Sequence, residues 1–354
     1  MTKNKILPIF IPHGGCRHRC IFCDQRQITG VDKMPAAEEL ASLVAEDLDP
    51  ETELAFYGGS FTALPKEIRE AYLSFGANLK REGKIGALRL STHPAYITPA
   101  IVTELEGYGV DTVELGIQST DESVLGLARR GHGRKEIFEA ARLLSASAMA
   151  WGAQLMVGLP GDSEEKALTS LRELLPYRPK TLRIYPVLVL RGTELAERTD
   201  RGEYTPLSLE KAVAVTAKMY ALAVRNDVTV IRMGLQPTEE ISSTGDALLA
   251  GPFHPAFGYL VRCYLKERQI RTLLERTGRK EGRLLGPRED LPLFFGDHRR
   301  NMDRLCRDYR LTVSEAPLKR GSVALAPLEK ARKKEIIDEL TEAEFLASFT
   351  ENGK

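Results

Sequence analysis

The chain has 354 residues, of which 43% are hydrophobic and 28% are charged, and its formal net charge is +1. This length is enough for one large domain and a smaller one, and the near-zero net charge excludes a protein whose whole surface is built to bind nucleic acid. The charge is locally uneven, because residues 261–310 hold 14 Lys or Arg against 8 Asp or Glu.

Cysteine use and hydrophobicity indicate the compartment. The chain has five Cys, three of which lie in one loop, while Cys263 and Cys306 stand alone far downstream. This is not the pattern of a disulfide framework, so we expect a reducing compartment. The apolar run near the N-terminus is short and is broken by Pro8, and no run of eighteen apolar residues occurs. We therefore expect a cytoplasmic protein that does not span a membrane.

Short strands and amphipathic helices alternate along the first two thirds of the chain, an order that predicts parallel strands with helical crossovers. The predicted strands are residues 6–11, 53–57, 87–91, 112–117, 153–157 and 181–187. The predicted helices between them are residues 36–48, 66–80, 99–108, 134–145 and 164–175.

Six strand and helix units are two short of a closed eightfold barrel, so we predict an α/β fold, a partial (β/α)6 TIM-like barrel over residues 1–235. One more strand, 228–233, leans on its open edge. Residues 236–354 are predicted to form a small α+β extension that serves as a lid and docks substrate or RNA. Its predicted helices are residues 256–276 and 327–340.

The most specific motif follows the first predicted strand and reads Cys-x3-Cys-x2-Cys, with its thiols at Cys16, Cys20 and Cys23. Three thiols at this spacing can converge on one soft metal centre. An iron–sulfur cube held by three thiolates keeps one iron open, whereas a zinc site needs a fourth ligand, for which His13 and His18 are the candidates. The remaining reading is a Cys-rich loop without a metal.

Further polar motifs lie on or just after the other strands, where parallel α/β folds collect their chemistry. Paired glycines, Gly58 and Gly59, follow strand two and let the backbone approach a ligand that a Cβ would exclude. Polar side chains accompany strands three to five, and an apolar residue ends strand six. These are Ser91, Gln118, Arg130, Gln154 and Val187.

In this order the motifs resemble the radical S-adenosylmethionine (radical SAM) enzymes, and especially the core shared by the elongator catalytic subunit and oxygen-independent coproporphyrinogen oxidase. The resemblance covers residues 6–233. It includes Phe22 directly before the last Cys of the loop. The other motifs of the resemblance are Tyr-Gly-Gly-Ser-Phe-Thr, which begins at Tyr57, Gly-Ile-Gln-Ser, which begins at Gly116, Gly-Leu-Pro-Gly, which begins at Gly158, and Ile-Tyr-Pro-Val-Leu-Val-Leu-Arg-Gly-Thr, which begins at Ile184.

The resemblance implies two cofactors, a [4Fe–4S] cluster on the three Cys and S-adenosylmethionine (SAM). It implies reductive cleavage of SAM to a 5′-deoxyadenosyl radical that takes hydrogen from a substrate, with electrons from a donor such as flavodoxin or ferredoxin. The implied SAM contacts are Phe22, Tyr57, Gly58, Gly59, Ser60, Ser91, Gln118, Arg130, Gln154 and Val187. No catalytic residue is assigned.

The sequence departs from the relatives at several of these positions. Ser60 ends the glycine motif where many relatives have an acidic residue or Thr, and Ser91 and Gln154 stand where the porphyrinogen oxidases have acidic residues. No glycine-rich pyrophosphate loop of an acetyltransferase occurs after residue 233, so acetyl transfer is not expected.

The strand-six segment favours the elongator side of the resemblance, so tRNA is the preferred substrate and DNA is not expected. Two alternatives stay open. One is a non-catalytic iron–sulfur or zinc protein that binds RNA, and the other is a porphyrinogen-oxidase-like radical SAM enzyme.

Overall fold

A computed structural model describes residues 5–44, 48–238, 240–242, 245–328 and 336–349. The chain divides into two compact units, which are described separately. The first comprises Met1–Ala212 and Val228–Pro255, and the second comprises Val213–Asp227 and Ala256–Lys354. The sequence analysis divides the chain into a barrel, residues 1–235, and a C-terminal extension, residues 236–354, and this division stays a prediction.

The first unit is built on one sheet of seven parallel strands that form a partial barrel, which confirms the predicted fold class. The strands follow one another in space as they do in sequence. They are β1 (Lys5–Phe10), β2 (Thr52–Tyr57), β3 (Ala87–Thr92), β4 (Thr112–Gln118), β5 (Ala150–Val157), β6 (Thr181–Pro186) and β8 (Thr229–Met233). The last of them pairs with β6, as predicted for the open edge. Two short strands, β7 (Val189–Leu190) and β9 (Leu248–Ala250), form a separate antiparallel pair.

Alternating residues of these strands face opposite sides of the sheet. In β4, Val113, Leu115 and Ile117 are fully buried, because this face packs under the helices. The other face carries Glu114 and Gln118, and it lines the inside of the barrel. This period of two is what places polar groups inside the barrel while the outer core stays apolar.

Helices connect the strands and cover the outer face of the sheet. In α2 the buried residues Tyr72, Leu73, Gly76 and Leu79 recur at helical spacing, and a Cβ at Gly76 would lie 2.8 Å from Leu88 of β3. Gly76 therefore lets this helix approach the sheet closely. The helices are α1 (Gln25–Thr29), α2 (Lys66–Arg81), α3 (Pro99–Gly107), α4 (Glu122–Leu127), α5 (Arg134–Ser145), α6 (Glu164–Leu174) and α7 (Glu194–Asp200).

The helix predicted over residues 36–48 is wrong. The structure has a 3-10 helix over Ala37–Leu43, in which Leu40 is the one buried side chain, and residues 45–47 lie outside the described part of the chain. A single buried residue does not provide the apolar stripe that stabilises a longer α-helix against the sheet.

The second unit packs helices on a mixed four-stranded sheet, which agrees with the predicted α+β extension. The spatial order of its strands is β11 (Arg310–Glu315), β10 (Glu281–Gly286), β12 (Val323–Ala326) and β13 (Asp338–Leu340). Its helices are α9 (Phe257–Thr277), α10 (Leu291–Phe295), α11 (Arg300–Leu305) and α12 (Glu342–Ser348), and α8 (Leu209–Arg225) begins in the first unit and continues into the second.

The long helix predicted at 256–276 is present as α9, whereas the helix predicted over 327–340 is wrong at its end. Asp338–Leu340 is a strand paired antiparallel with β12, and residues 329–335 of that prediction lie outside the described residues. Within the described ranges, no helix is both long and apolar enough to cross a membrane.

Candidate functional site

The loop that carries Cys16, Cys20 and Cys23, called the Cys loop below, begins at the carboxyl end of β1, next to the carboxyl end of β2. Ile11 N–H donates to the Tyr57 carbonyl, and two tight turns follow, in which Gly14 N–H donates to Ile11 and Cys16 N–H donates to His13. The loop ends in α1, where the Asp24 side chain accepts a hydrogen bond from the Arg26 backbone N–H. The loop is thus held by backbone hydrogen bonds on both sides of its thiols.

Two of the three thiols contact different parts of the sheet edge, and two of them have a raised pKa. The Cys16 Sγ lies 3.8 Å from Ser60 Oγ, just after β2, and the Cys20 Sγ accepts a hydrogen bond from Arg130 Nη1 at 2.9 Å, beyond β4. Burial raises the pKa of both Cys16 and Cys23, and the charge of Cys20 raises it further. The three thiols therefore share one desolvated region, where a bound cation would stabilise their thiolate forms.

The donor set of three soft thiolates fits an iron–sulfur cluster. Among the described residues, no three His, Cys, Asp or Glu side chains are arranged to ligate one metal ion. Four ligands around zinc at 2.3 Å require sulfur atoms about 3.8 Å apart, whereas in an iron–sulfur cube each thiolate binds a different iron. Soft thiolates are also the ligands that iron–sulfur clusters prefer.

Both histidines that were candidates for a fourth zinc ligand make other contacts. His13 Nε2 accepts a hydrogen bond from the Gln25 backbone N–H at 3.1 Å. The His18 ring stacks on His93, with 6.4 Å between centroids, and lies against Gly131. Neither ring is arranged with the thiols as a metal ligand.

The glycine turn after β2 packs backbone to backbone against the start of the Cys loop. Gly58 and Gly59 have φ values of +79° and +60°, and a Cβ at Gly59 would lie 2.2 Å from the Gly14 carbonyl oxygen. In the opposite direction, a Cβ at Gly15 would lie 2.3 Å from the Ser60 carbonyl oxygen. Only glycine fits at Gly59 and Gly15, because of both the left-handed backbone and the close approach, whereas at Gly58 the left-handed backbone alone favours glycine.

Arg130 joins the Cys loop to the end of β4. Its second guanidinium nitrogen donates to the Gly116 carbonyl at 2.5 Å, and its own carbonyl lies 2.8 Å from His93 Nε2. Burial lowers the pKa of His93 to about 4 and that of His132 to about 2, so both rings are neutral at pH 7. In this structure the guanidinium of Arg130, which was predicted to contact SAM, is directed at Cys20 and Gly116.

Several other predicted residues lie on the inner face of the barrel at its carboxyl end. Gln118 and Gln154 are joined by a hydrogen bond of 3.3 Å, and Tyr57 and Ser91 lie on the same face. Gln118 has a φ of +71° where the pairing of β4 with β5 shifts register. Such a backbone costs about 1–2 kcal/mol for a residue with a Cβ, and it marks a position that the surrounding structure holds in place.

Phe22 and Val187 lie apart from this polar set, in one apolar cluster that includes Ile21, Leu159 and Tyr204. Val187 is 2% exposed, so in this structure it presents almost no surface to a ligand. The cluster packs the Cys loop against the segment after β6. The predicted contacts of all these residues with SAM stay predictions.

Sequence reasoning missed a charged network deeper in the barrel. Glu114 bonds Arg183 through both carboxylate oxygens, at 2.6 and 3.0 Å, and it also bonds Arg89, which lies 2.9 Å from Glu53. Arg183 in turn donates to the Tyr57 hydroxyl at 2.9 Å, and burial raises the pKa of Tyr57 to about 12. The signal was present, because β2, β3, β4 and β6 each carry a single charged residue, and it lies at an inward position.

Two family profiles match the chain. The profile described as the radical SAM superfamily covers residues 10–174, and the profile described as the Radical_SAM C-terminal domain covers residues 179–267. The first match contains the Cys loop, the glycine turn and Arg130. The second contains β6, β8 and most of α9.

Curated relatives match about half of the chain. The tRNA uridine(34) acetyltransferase of Methanocaldococcus infernus is 32% identical over 183 residues, which are 46% of this chain and 34% of the relative. Elongator complex protein 3 of Homo sapiens is 28% identical over 190 residues, which are 48% of this chain and 35% of the relative. The aligned part therefore spans about one third of the length of these relatives.

A solved structure has the same fold. The archaeal Methanocaldococcus infernus Elp3 with an N-terminal deletion superimposes with a TM-score of 0.57 at 23% identity, covering 77% of this chain and 63% of the other. This likeness concerns the fold, whereas the family profiles concern the Cys loop and its surroundings. Together they show that the chain belongs to the radical SAM superfamily, whose enzymes use a [4Fe–4S] cluster and SAM.

Proposed function

We propose that Cys16, Cys20 and Cys23 hold the [4Fe–4S] cluster and that the protein cleaves SAM reductively to modify tRNA. The observation that carries the first part is the convergence of the Cys loop, the glycine turn and Arg130 at one edge of a parallel sheet. When bound, the cluster supplies the electron that cleaves SAM into methionine and the 5′-deoxyadenosyl radical, which takes hydrogen from the substrate.

The chain's own groups prepare this site in three ways. Arg130 donates an N–H to the Cys20 sulfur at 2.9 Å, which stabilises a thiolate there and reduces its charge. The partly buried loop limits the access of water to the thiols. The inner face of the barrel supplies the proposed contacts of Tyr57, Ser91, Gln118 and Gln154 with SAM, and the turn after β2 supplies those of Gly58, Gly59 and Ser60.

The remaining proposed contacts with SAM are those of the apolar residues Phe22 and Val187 and that of Arg130. Some of these side chains have to move from their positions in this structure to reach SAM. Phe22 and Val187 supply apolar surface for the adenine, with Val187 becoming accessible when its cluster opens. Arg130 reaches the SAM carboxylate with the edge of the guanidinium that does not bond Cys20. Its fork geometry suits a carboxylate, which supports this assignment.

The cluster and the SAM cleavage are tested by anaerobic reconstitution with iron and sulfide, followed by detection of 5′-deoxyadenosine after addition of SAM and dithionite. Cys20→Ala is expected to reduce 5′-deoxyadenosine to background. Cys306→Ala is the matched control, because Cys306 is exposed and lies outside the loop. Tightly bound zinc without SAM cleavage in the wild type would favour the non-catalytic RNA-binding alternative.

The proposal of tRNA as substrate is supported by the relatives and by the second unit. One relative is named as a tRNA uridine(34) acetyltransferase. In the second unit, Arg299, Arg300 and Arg307 are exposed and form no ion pair with any described residue, while Lys280 lies 5.0 Å above the Tyr309 ring. Exposed cations beside aromatic rings are the groups that bind phosphates and stack on bases.

Binding of tRNA is tested by a gel shift between 50 and 200 mM KCl, with an unrelated RNA of equal length as competitor. An Arg300→Glu, Arg307→Glu double variant is expected to flatten the slope of log affinity against log salt by about 1 to 2, because each lost phosphate contact removes about one counterion. A Lys66→Glu, Arg81→Glu double variant changes the same charge on α2 and serves as the control. Equal binding of the unrelated RNA, or decarboxylation of added coproporphyrinogen, would contradict a tRNA substrate.

The proposed electron donor is an acidic redox protein such as flavodoxin or ferredoxin, and the proposed compartment is the cytoplasm. All five Cys are described, and none forms a disulfide, which supports a reducing environment. Replacement of dithionite by reduced flavodoxin in the 5′-deoxyadenosine assay tests the donor.

A further inference from the structure

The side chain of Gln25 joins three segments of the proposed site. Its Oε1 accepts a hydrogen bond from the His13 backbone N–H at 2.5 Å and from the Gly59 backbone N–H at 2.6 Å. His13 precedes the three thiols, Gln25 follows them, and Gly59 belongs to the glycine turn after β2. One carboxamide oxygen therefore ties both ends of the Cys loop to the neighbouring turn.

The orientation of this carboxamide is determined by its partners. Both partners are N–H donors, so the atom between them has to be the oxygen and not the amide nitrogen. A reciprocal hydrogen bond, from the Gln25 backbone N–H to His13 Nε2 at 3.1 Å, closes a ring between the two residues. His13 has a φ of +55°, which shows that the local backbone is held in an unfavourable conformation.

The hydrogen bond at Gly59 fixes the direction of a carbonyl group. The Gly59 N–H and the Gly58 C=O belong to one planar trans peptide, in which the two bonds point in opposite directions. Because Gly59 N–H points at Gln25, the Gly58 oxygen points away from Gln25. No described residue donates a hydrogen bond to that oxygen, so it is an acceptor without a protein partner in this part of the chain.

An ammonium group is a donor only, so a site that binds it has to present acceptors. We infer that Gln25 is a positioning residue that holds the Gly58–Gly59 peptide with the Gly58 carbonyl directed at the ammonium group of the methionine part of SAM. This inference rests on the proposed function and assigns to it a residue outside the set of SAM contacts. Gln25 itself acts through the glycine turn.

The first test measures the turn without cofactors, by amide hydrogen exchange of the apo protein. Gln25→Leu has a similar volume but no acceptor, and it is expected to speed exchange at Gly59 about tenfold, the value of one lost hydrogen bond. Gln27→Leu is the matched control, because Gln27 lies on the same helix and bonds Asp24 and Arg191 instead. Unchanged exchange at Gly59 in Gln25→Leu would overturn the inference.

The second test compares SAM with 5′-methylthioadenosine, which lacks the amino-acid part, in equilibrium dialysis with the reconstituted protein. Gln25→Leu is expected to weaken SAM binding about tenfold and to leave 5′-methylthioadenosine binding unchanged, because only SAM carries the ammonium group. Gln25→Glu is expected to restore SAM binding, since a carboxylate accepts both N–H groups.

The outcomes separate this inference from the proposed function. Equal weakening of both ligands would indicate general damage to the site and would overturn the positioning role. Equal SAM affinity in the wild type and Gln25→Leu would overturn it as well, while the proposed function stands. A wild-type protein that binds no SAM would overturn both.

Discussion

Replacement of Glu114 by Gln tests the charged network inside the barrel. The Glu114 side chain is 4% exposed and is the counter-ion of both Arg89 and Arg183. Gln has nearly the same shape, but it removes the charge and leaves only Glu53 near the two guanidinium groups. Loss of one partner of a buried ion pair costs about 3–5 kcal/mol, so we expect the free energy of unfolding of the first unit to fall by about that amount.

Urea denaturation followed by tryptophan fluorescence measures this change. Trp151, the single Trp of the chain, is 2% exposed on β5 in the same sheet, so its emission reports unfolding of the barrel. Glu197→Gln is the control, because Glu197 is exposed and lies 3.9 Å from Arg201, and it is expected to change nothing measurable.

A double variant of Glu114 and Arg183 tests the same network more sharply. Adding Arg183→Met to Glu114→Gln removes the cation that was left without its partner, so part of the lost stability should return. If Glu114→Gln unfolds at the same urea concentration as the wild type, or if the double variant is less stable by the sum of two independent losses, the network does not depend on its charges.

Three further predictions concern other parts of the chain. In urea denaturation, Gly59→Ala is expected to lower the free energy of unfolding more than Gly83→Ala does, and equal losses would contradict this. Both positions have positive φ, but only at Gly59 would an added Cβ meet a carbonyl oxygen, at 2.2 Å. The pKa of His93 is about 4 in the folded protein and 6.5 in the unfolded chain, so the free energy of unfolding falls as the pH falls between these values. His93→Gln should flatten the plot of unfolding free energy against pH by up to about 1.4 kcal/mol per pH unit, and parallel plots for the variant and the wild type would refute this. Burial lowers the pKa of Lys266 to about 8, so the unfolded chain binds more protons than the folded protein between pH 8 and 10.5, and the stability of the fold rises with pH over that range. In thermal denaturation, Lys266→Met should not show this rise, and a rise that persists in the variant would contradict the lowered pKa of Lys266.

The parts of the site that sequence could predict are those that follow from strand order. Parallel strands bring their carboxyl ends to one edge, so the Cys loop, the glycine turn and Gln118 were expected together, and the structure places them at that edge. The apolar strands were recognisable because their outer faces pack under helices. The Cys motif was specific by itself, since its spacing serves few other purposes.

The missed contacts depend on neighbours that are distant in sequence. Arg130 was predicted from the side-chain chemistry of Arg, but only the fold shows that Cys20 and Gly116 lie beside it. Gln25 looked like an ordinary residue at the start of a helix. Its role became visible when the carboxyl end of β2 was placed next to it, a step that no local pattern contains.

The wrong helices have the same kind of cause. Residues 338–340 were predicted as the end of a helix, yet they pair with β12, because a free strand edge satisfies their backbone groups better than an isolated helical turn. The inward charges of the barrel were missed because a single charged residue in an apolar strand does not indicate which partner it has. Glu53, Arg89, Glu114 and Arg183 nevertheless form a network, and only the order of their strands in the sheet shows that these side chains reach one another.

The contact between the turns at Gly14–Gly15 and Gly58–Gly59 has a consequence for how this protein tolerates change. There the separation of the two segments is set by main-chain atoms touching one another, without intervening side chains. Substitutions in the surrounding core can loosen or tighten the barrel wall and still leave this spacing as it was. An insertion or deletion of one residue in either segment would alter it directly, so length, more than composition, is what these two segments have to preserve.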